Sequence, residues 1–215
     1  MTSGLESLPV SLIETVRRLR KLAAPAPSVR TAHEPARCEL CAAAIGRQHD
    51  HLVEAASGRL KCVCRACALL FGSAAETPYR RVSTRLTPLI DFRMSDAQWA
   101  GLGIPIGLAF LVRHRHDGQL VAVYPSPGGA IESQPLAEAW EMLVDDNPVL
   151  RTFEPDIEAL LVNRIDGARR YYLAAIDGCY QLVGLVRSRW RGFSGGAAMW
   201  AAVEEFLDSW EKQSQ

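Results

Sequence analysis

Residues 38–67 read CELCAAAIGRQHDHLVEAASGRLKCVCRAC and contain five of the six cysteines of the chain. Two Cys-x2-Cys pairs, Cys38 with Cys41 and Cys64 with Cys67, are separated by 22 residues. This spacing lets both thiolates of a tight turn face one ion, and two such pairs supply the tetrahedral sulfur shell that Zn²⁺ prefers. The stretch therefore predicts a zinc-ribbon-like metal module over residues 36–72, with a hairpin between the pairs and these four cysteines as ligands.

Other metals also accept four thiolates. A single iron or an iron–sulfur cluster uses the same donors. We favour zinc because Ala42 and Ala68 follow the second cysteine of each pair, where rubredoxin-type iron sites normally place a smaller residue such as glycine. A closed shell of four cysteines is typical of structural zinc, since a catalytic site keeps one position open to water. We expect the metal to stabilise a segment too small to hold its own core.

The role of Cys62 is the one undecided point in the predicted set of metal ligands. It lies two residues before Cys64, so on a strand both side chains would share one face. Cys62 could then replace Cys64 on the ion or be a spare thiol near it, but we favour a buried, small apolar residue. For three histidines near the module we expect surface positions or hydrogen bonds to ligands rather than metal bonds: His33, His49 and His51.

Composition and sequence pattern argue against a membrane-spanning, an exported and a nucleic-acid-binding protein. The chain has 215 residues, 48% of them hydrophobic, and a formal net charge of zero, which is ordinary for a globular protein. No apolar run approaches the roughly 20 residues of a membrane span. The amino terminus lacks a basic segment followed by an apolar one, so we expect a cytoplasmic protein with no membrane span. The small positive excess of the cysteine module is too weak for a phosphate footprint, so we expect no nucleic-acid partner.

The distribution of apolar, basic, cysteine and proline residues divides the chain into four segments. Residues 1–35 comprise a basic amphipathic helix over 8–22 and a proline-rich linker, and the metal module occupies 36–72. We expect residues 73–90 to be a connector that wraps around the protein without packing, because this segment is rich in arginine and proline. Residues 91–215 then form the main domain.

The main domain alternates strand pairs with single helices. Apolar runs at 104–112 and 119–124 flank Asp117-Gly118, and a second pair at 159–165 and 170–176 flanks Asp166-Gly167, a dipeptide typical of hairpins. Ser95 and Gln98 form a capping box, and the apolar spacing predicts helices ending at Asn147-Pro148 and spanning about 194–210. Residues 124–129 read as a loop and 180–186 as a further β-branched run. The fold class is α+β with a mainly antiparallel sheet.

The segment before the last helix is the most unusual polar stretch of the main domain. Three arginines precede a Ser-Gly-Gly at the expected helix start, where free backbone N–H groups attract anions. This pattern indicates a candidate anion-binding site, and its residues are Arg187, Arg189, Arg191, Ser194, Gly195 and Gly196. The alternative, which we favour, is a strand end with solvated arginines, followed by a helix cap. No catalytic set can be named anywhere in the chain, so we lean against an enzyme.

The chain resembles the uncharacterised bacterial family DUF5947. The resemblance covers about residues 36 to 210 and rests on CELC at 38–41, CVCRACALLF at 62–71, IPIGLAF at 104–110, YPSP at 124–127, LLVNR at 160–164 and CYQLVGLVRSRWRG at 179–192. It implies gene clusters shared with [NiFe] hydrogenases, and hence a hydrogenase subunit or maturation protein as partner. It also implies that Cys62 and Cys179 belong to the family pattern, which would strengthen a redox role for the cysteines.

The resulting expectation is a non-enzymatic metal-binding accessory protein. It would bind a protein client and aid the assembly or function of a [NiFe] hydrogenase. The alternative is an iron or iron–sulfur electron-transfer protein, in which the same four cysteines hold the redox centre.

Overall fold

The computed structural model describes residues 36–73, 76–135, 137–192 and 195–214. The helix predicted at 8–22 and the linker after it lie outside these residues. The chain from Ala36 onward forms one compact unit, so the cysteine module and the main domain belong to the same body.

The cysteine module is a three-stranded antiparallel sheet with one helix. Strands β1 (Asp50–Glu54) and β2 (Leu60–Val63) form a hairpin, and β3 (Tyr79–Arg81) pairs with the other edge of β1. Helix α1 (Arg65–Gly72) follows β2 directly. The predicted hairpin is present, and its turn places Gly58 at a φ of 65°, a conformation that favours glycine. Residues 73–90, which were predicted to be a connector, supply strand β3. This segment therefore pairs with the module sheet and does not only wrap around the protein.

A six-stranded antiparallel sheet forms the main layer, as the predicted α+β class requires. Its strands in spatial order are β4 (Leu86–Pro88), β9 (Arg170–Ala175), β8 (Glu158–Asn163), β5 (Leu108–Arg113), β6 (Leu120–Ser126) and β7 (Gly129–Ser133). Both predicted hairpins are confirmed as the pairs β5–β6 and β8–β9. Strand β4 comes from the same connector segment as β3.

Helices cover both faces of the sheet. Their bounds are α2 (Asp96–Gly101), α3 (Ala137–Asp146), α4 (Ile176–Arg189) and α5 (Ala197–Gln213), with 3₁₀ turns at Pro148–Thr152 and Ile165–Gly167. One apolar core lies between the sheet and the pair α4 and α5, and a second lies between the sheet and α2 and α3. Leu108 to Val112 are therefore all buried, which explains their uninterrupted apolar sequence. Helix α2 starts at the predicted capping box of Ser95 and Gln98.

Two local predictions were wrong. The run 180–186 lies in helix α4, because the buried positions Cys179, Leu182, Val183 and Val186 recur at helical spacing, and this spacing outweighs the β-branched content. The stretch 124–129 is a tight hairpin: β6 continues to Ser126 and pairs with β7 across Pro127-Gly128. Strand β6 tolerates Pro125 because its pairing with β5 ends at Val123.

None of the helices in the described part of the chain has the length and apolarity needed to span a membrane.

Candidate metal centre

The first cysteine pair lies in a tight turn before β1. The backbone N–H of Cys38 donates to the carbonyl of Ala43 at 2.8 Å, and the N–H of Ala42 donates to the carbonyl of Cys38, also at 2.8 Å. Ala42 adopts a left-handed φ of 62°, which lets the chain reverse immediately after Cys41. The two-residue spacing thus brings both sulfurs to the same side of the turn.

The second pair lies where β2 passes into α1. Cys64 is the N-cap of α1, and its Sγ accepts a hydrogen bond from the backbone N–H of Cys67 at 3.5 Å. Strand β2 ends at Val63, so Cys64 does not continue the alternation of that strand. This is why Cys62 and Cys64 do not share a site, contrary to the strand argument made from the sequence.

The four predicted ligands come together. The Sγ atoms of Cys38, Cys41, Cys64 and Cys67 all lie within 4.8 Å of one another. Cys38 and Cys67 are buried, whereas Cys41 is exposed. Among the described residues, the buried cluster here consists of Cys38 and Cys67 themselves and three apolar neighbours, Leu52, Val63 and Ala68. This small core supports the expectation that the module depends on a further stabilising interaction.

The thiols influence one another electrostatically. Burial raises the pKa of Cys38, but backbone hydrogen bonds from Cys64, Cys41 and Leu40 outweigh it, and the pKa falls to about 6. Burial raises the pKa of Cys67 to about 12, and hydrogen bonds with the other three cysteines add to the rise. Four negative charges at this distance repel one another, so a bound cation is needed for all four sulfurs to be thiolates.

Cys62 belongs to a different group. It lies opposite His51 in the β1–β2 register, and its Sγ lies within 4.8 Å of ring nitrogens of both His49 and His51. His51 also contacts Asp177 of α4, with 3.2 Å between Nδ1 and Oδ2. Asp177 carried no signal in the sequence that linked it to the module, because 126 residues separate it from His51.

The predicted anion-binding residues lie around the turn between α4 and α5, where the backbone N–H of Arg191 donates to the carbonyl of Gly195 at 3.2 Å. Arg187 and Arg189 lie in the last turn of α4, and Gly195 and Gly196 precede α5, while Ser194 lies outside the described residues. The Arg191 guanidinium donates to the carbonyl of Trp190 at 2.9 Å. Arg187 and Arg189 end a helix rather than a strand, so the strand-end alternative was also wrong, and Arg191 lies beyond the helix in an isolated bridge with Gly195.

Cys179 is an unsuitable nucleophile. It is fully buried in the core beneath α4, and this burial raises the pKa of its thiol well above the usual value. A thiol that stays protonated and inaccessible is chemically inert. Its place in the fold is that of a small apolar side chain.

The comparisons with known proteins agree with the resemblance noted from the sequence. The model of a family of unknown function, DUF5947, matches residues 37–214. No curated protein and no solved structure matches the chain significantly. The match spans the whole cysteine module and the six-stranded sheet, and the chain therefore belongs to the DUF5947 family.

Proposed function

We propose that the protein is a non-enzymatic accessory factor whose four-cysteine site holds a structural zinc ion and whose surface binds a protein client. The observation that carries the proposal is the closed sulfur shell formed by the two cysteine pairs. Four protein thiolates complete the tetrahedral coordination of one ion and leave no position for substrate or water. The metal then stabilises the fold and does not act as a reagent.

The sulfur geometry supports one ion in preference to a cluster. A tetrahedral zinc with Zn–S bonds of about 2.3 Å places its sulfurs about 3.8 Å apart. The Sγ atoms of Cys41 and Cys64 are 3.7 Å apart. In an iron–sulfur cluster the four thiolates are divided between two iron atoms or among four, so sulfurs bound to different irons lie further apart than those on a single ion. Here all four Sγ atoms lie within 4.8 Å of one another.

A client surface follows directly after the second cysteine pair. Leu69, Leu70 and Phe71 of α1 are 49%, 68% and 37% exposed. Three consecutive exposed apolar side chains are unusual for a monomeric surface and favour contact with another protein. The metal site fixes the start of this helix, so the metal and the surface are linked. The family resemblance supports a hydrogenase subunit or maturation protein as the client.

Metal analysis and an absorption spectrum test the identity of the ion in protein purified without oxygen. We expect zinc at the four cysteines and no colour. Iron with visible absorption that bleaches on reduction would refute the zinc assignment and support the electron-transfer alternative.

Affinity purification from a hydrogenase-producing cell tests the client. We expect a hydrogenase subunit or a maturation protein with the unaltered chain, and a large loss of it with Leu70→Lys. Met142→Lys is the matched control, because Met142 of α3 is 53% exposed on another part of the surface. Recovery of neither kind of partner would contradict the proposed client.

A further inference from the structure

The β1–β2 hairpin carries a second group of metal-ligating side chains on its other face. Along β1, Leu52 points into the small core of the four-cysteine site, whereas Val53 points into the core beneath α4. Because side chains alternate along a strand, His51 shares the face of Val53, and Cys62 opposite it does so too. The two groups of potential ligands therefore lie on opposite faces of the hairpin.

His49 has a buried nitrogen without a partner. Its Nδ1 lies 2.9 Å from the carbonyl oxygen of Gly46, which can only accept, so Nδ1 carries the proton. Nε2 of the neutral ring is then a bare acceptor, and this atom is buried with no hydrogen bond from the described residues. A buried lone pair without a donor is costly, and a metal ion would satisfy it.

One ring nitrogen of His51 also contacts an acceptor, so the other ring nitrogen is available for a ligand contact. Its Nδ1 contacts the Asp177 carboxylate at 3.2 Å, which leaves Nε2 for Cys62 on the neighbouring strand. Metal-bound histidines regularly donate their second ring N–H to a carbonyl or a carboxylate, because this contact fixes the tautomer and the ring plane. Both histidines of the group have such a contact, one to a carbonyl and one to a carboxylate.

We propose that His49, His51 and Cys62 form a second metal site, which takes one borderline divalent ion of the Zn²⁺ type. One ligand atom of each residue lies within 4.8 Å of the other two, as binding to a single ion requires. Two imidazoles and a thiolate suit zinc and its neighbours in the transition series. No fourth His, Cys, Asp or Glu of the described chain joins the group, so one coordination position is left for water or for a ligand from a partner.

An ion pair without a metal ion explains the arrangement of His49, His51 and Cys62 less well than a metal site does. Burial lowers the pKa of His51, but hydrogen bonds with Asp177 and Cys62 outweigh it and raise the pKa to about 9. A protonated His51 bridging Asp177 and Cys62 would account for these two contacts. It would leave the buried Nε2 of His49 without a partner, which the metal site does not.

The test measures how many zinc ions each chain binds, with none of its residues removed. After equilibration with Zn²⁺ and removal of free ion, we expect two zinc ions per chain in the unaltered protein and one in both Cys62→Ser and His49→Gln. The ion at the four cysteines reports that each variant is folded. His116→Gln is the matched control, because His116 lies at the exposed β5–β6 turn, and it should keep two ions. One zinc in the unaltered chain, or two in Cys62→Ser, would overturn the proposal.

A spectroscopic arm identifies the ligands. Co²⁺ added to protein that already holds zinc at the four cysteines should give a thiolate-to-cobalt charge-transfer band that Cys62→Ser abolishes. Asp177→Asn should weaken the second ion about 10- to 100-fold without affecting the first, since Asp177 only orients His51. A charge-transfer band that persists in Cys62→Ser would exclude Cys62 as a ligand. These outcomes do not depend on whether the protein has a hydrogenase client.

Discussion

Replacing Gly178 with alanine tests the packing that positions Asp177 beneath the cysteine module. Gly178 lies in the first turn of α4, and a Cβ added there would come within 2.2 Å of Cζ2 and Cη2 of Trp210 in α5. Relaxed carbon–carbon contacts lie at about 3.5–4.0 Å, so the ring or the helix would have to move by more than 1 Å. The ring cannot shift freely, because its Nε1 donates to the carbonyl of Thr84 at 2.8 Å.

The expected magnitude follows from overpacking. One extra methyl group in a close-packed core costs about 1–3 kcal/mol, and 1 kcal/mol shifts Tm by about 2–4 °C for a protein of this size. Gly178→Ala should therefore lower Tm by several degrees. The matched control is Gly184→Ala in the same helix, where an added Cβ meets no atom within 4 Å. There the better helix propensity of alanine should stabilise the protein by about 0.5–1 kcal/mol.

Thermal and denaturant unfolding of the two variants is the assay. A Gly178→Ala protein as stable as the Gly184→Ala protein would refute the close contact between α4 and α5. A double-mutant cycle sharpens the test, because Trp210→Phe removes Cζ2 and Cη2, the two ring atoms that come closest to the added Cβ. Gly178→Ala should cost less in the Trp210→Phe background than alone, and an unchanged cost would show that the strain arises elsewhere.

Three further outcomes follow from the same structure. Treatment with a strong chelator should make the cysteine module sensitive to protease before the six-stranded sheet unfolds, because the module has a very small core; an equal loss of both would contradict a local role for the metal. Asn147→Ala should destabilise the protein by about 1–3 kcal/mol in denaturant unfolding, since the buried amide satisfies the backbone N–H and carbonyl of Arg93 and the carbonyl of Leu143. Ser95→Ala should cost about 0.5–2 kcal/mol in the same assay through loss of the capping box, whereas Ser209→Ala in the exposed face of α5 should be near neutral.

Local spacing was enough to predict much of this protein. The clustering of the four cysteines was predicted from two-residue spacings, which place both sulfurs of each pair on one side of a turn whatever the rest of the fold does. The Asp-Gly hairpins, the capping box at Ser95 and the helix that ends at Asn147 were predicted for the same reason. Each depends on bonds and hydrogen bonds between residues close in the chain.

Residues 180–186, which lie in α4, were not recognised as helical. Their β-branched composition and the spacing of their buried residues indicated different structures. The β-branched residues favoured a strand, but burial at Cys179, Leu182, Val183 and Val186 follows the helical period. Which face of a segment is buried depends on what packs against it, and here α5 and the sheet pack against one side of a helix. Propensity over a short apolar run is too weak to decide between the two.

The sequence alone determined the four-cysteine group, because its members lie in two local turns joined by a hairpin. Only the tertiary structure separated Cys62 from that site and placed it with His49 and His51 on the opposite face of the hairpin. It also brought Asp177 to His51 across 126 residues and placed Trp210 against Gly178. Contacts of this kind depend on how helices and sheets pack, and packing is a property of the whole core rather than of any short stretch of chain.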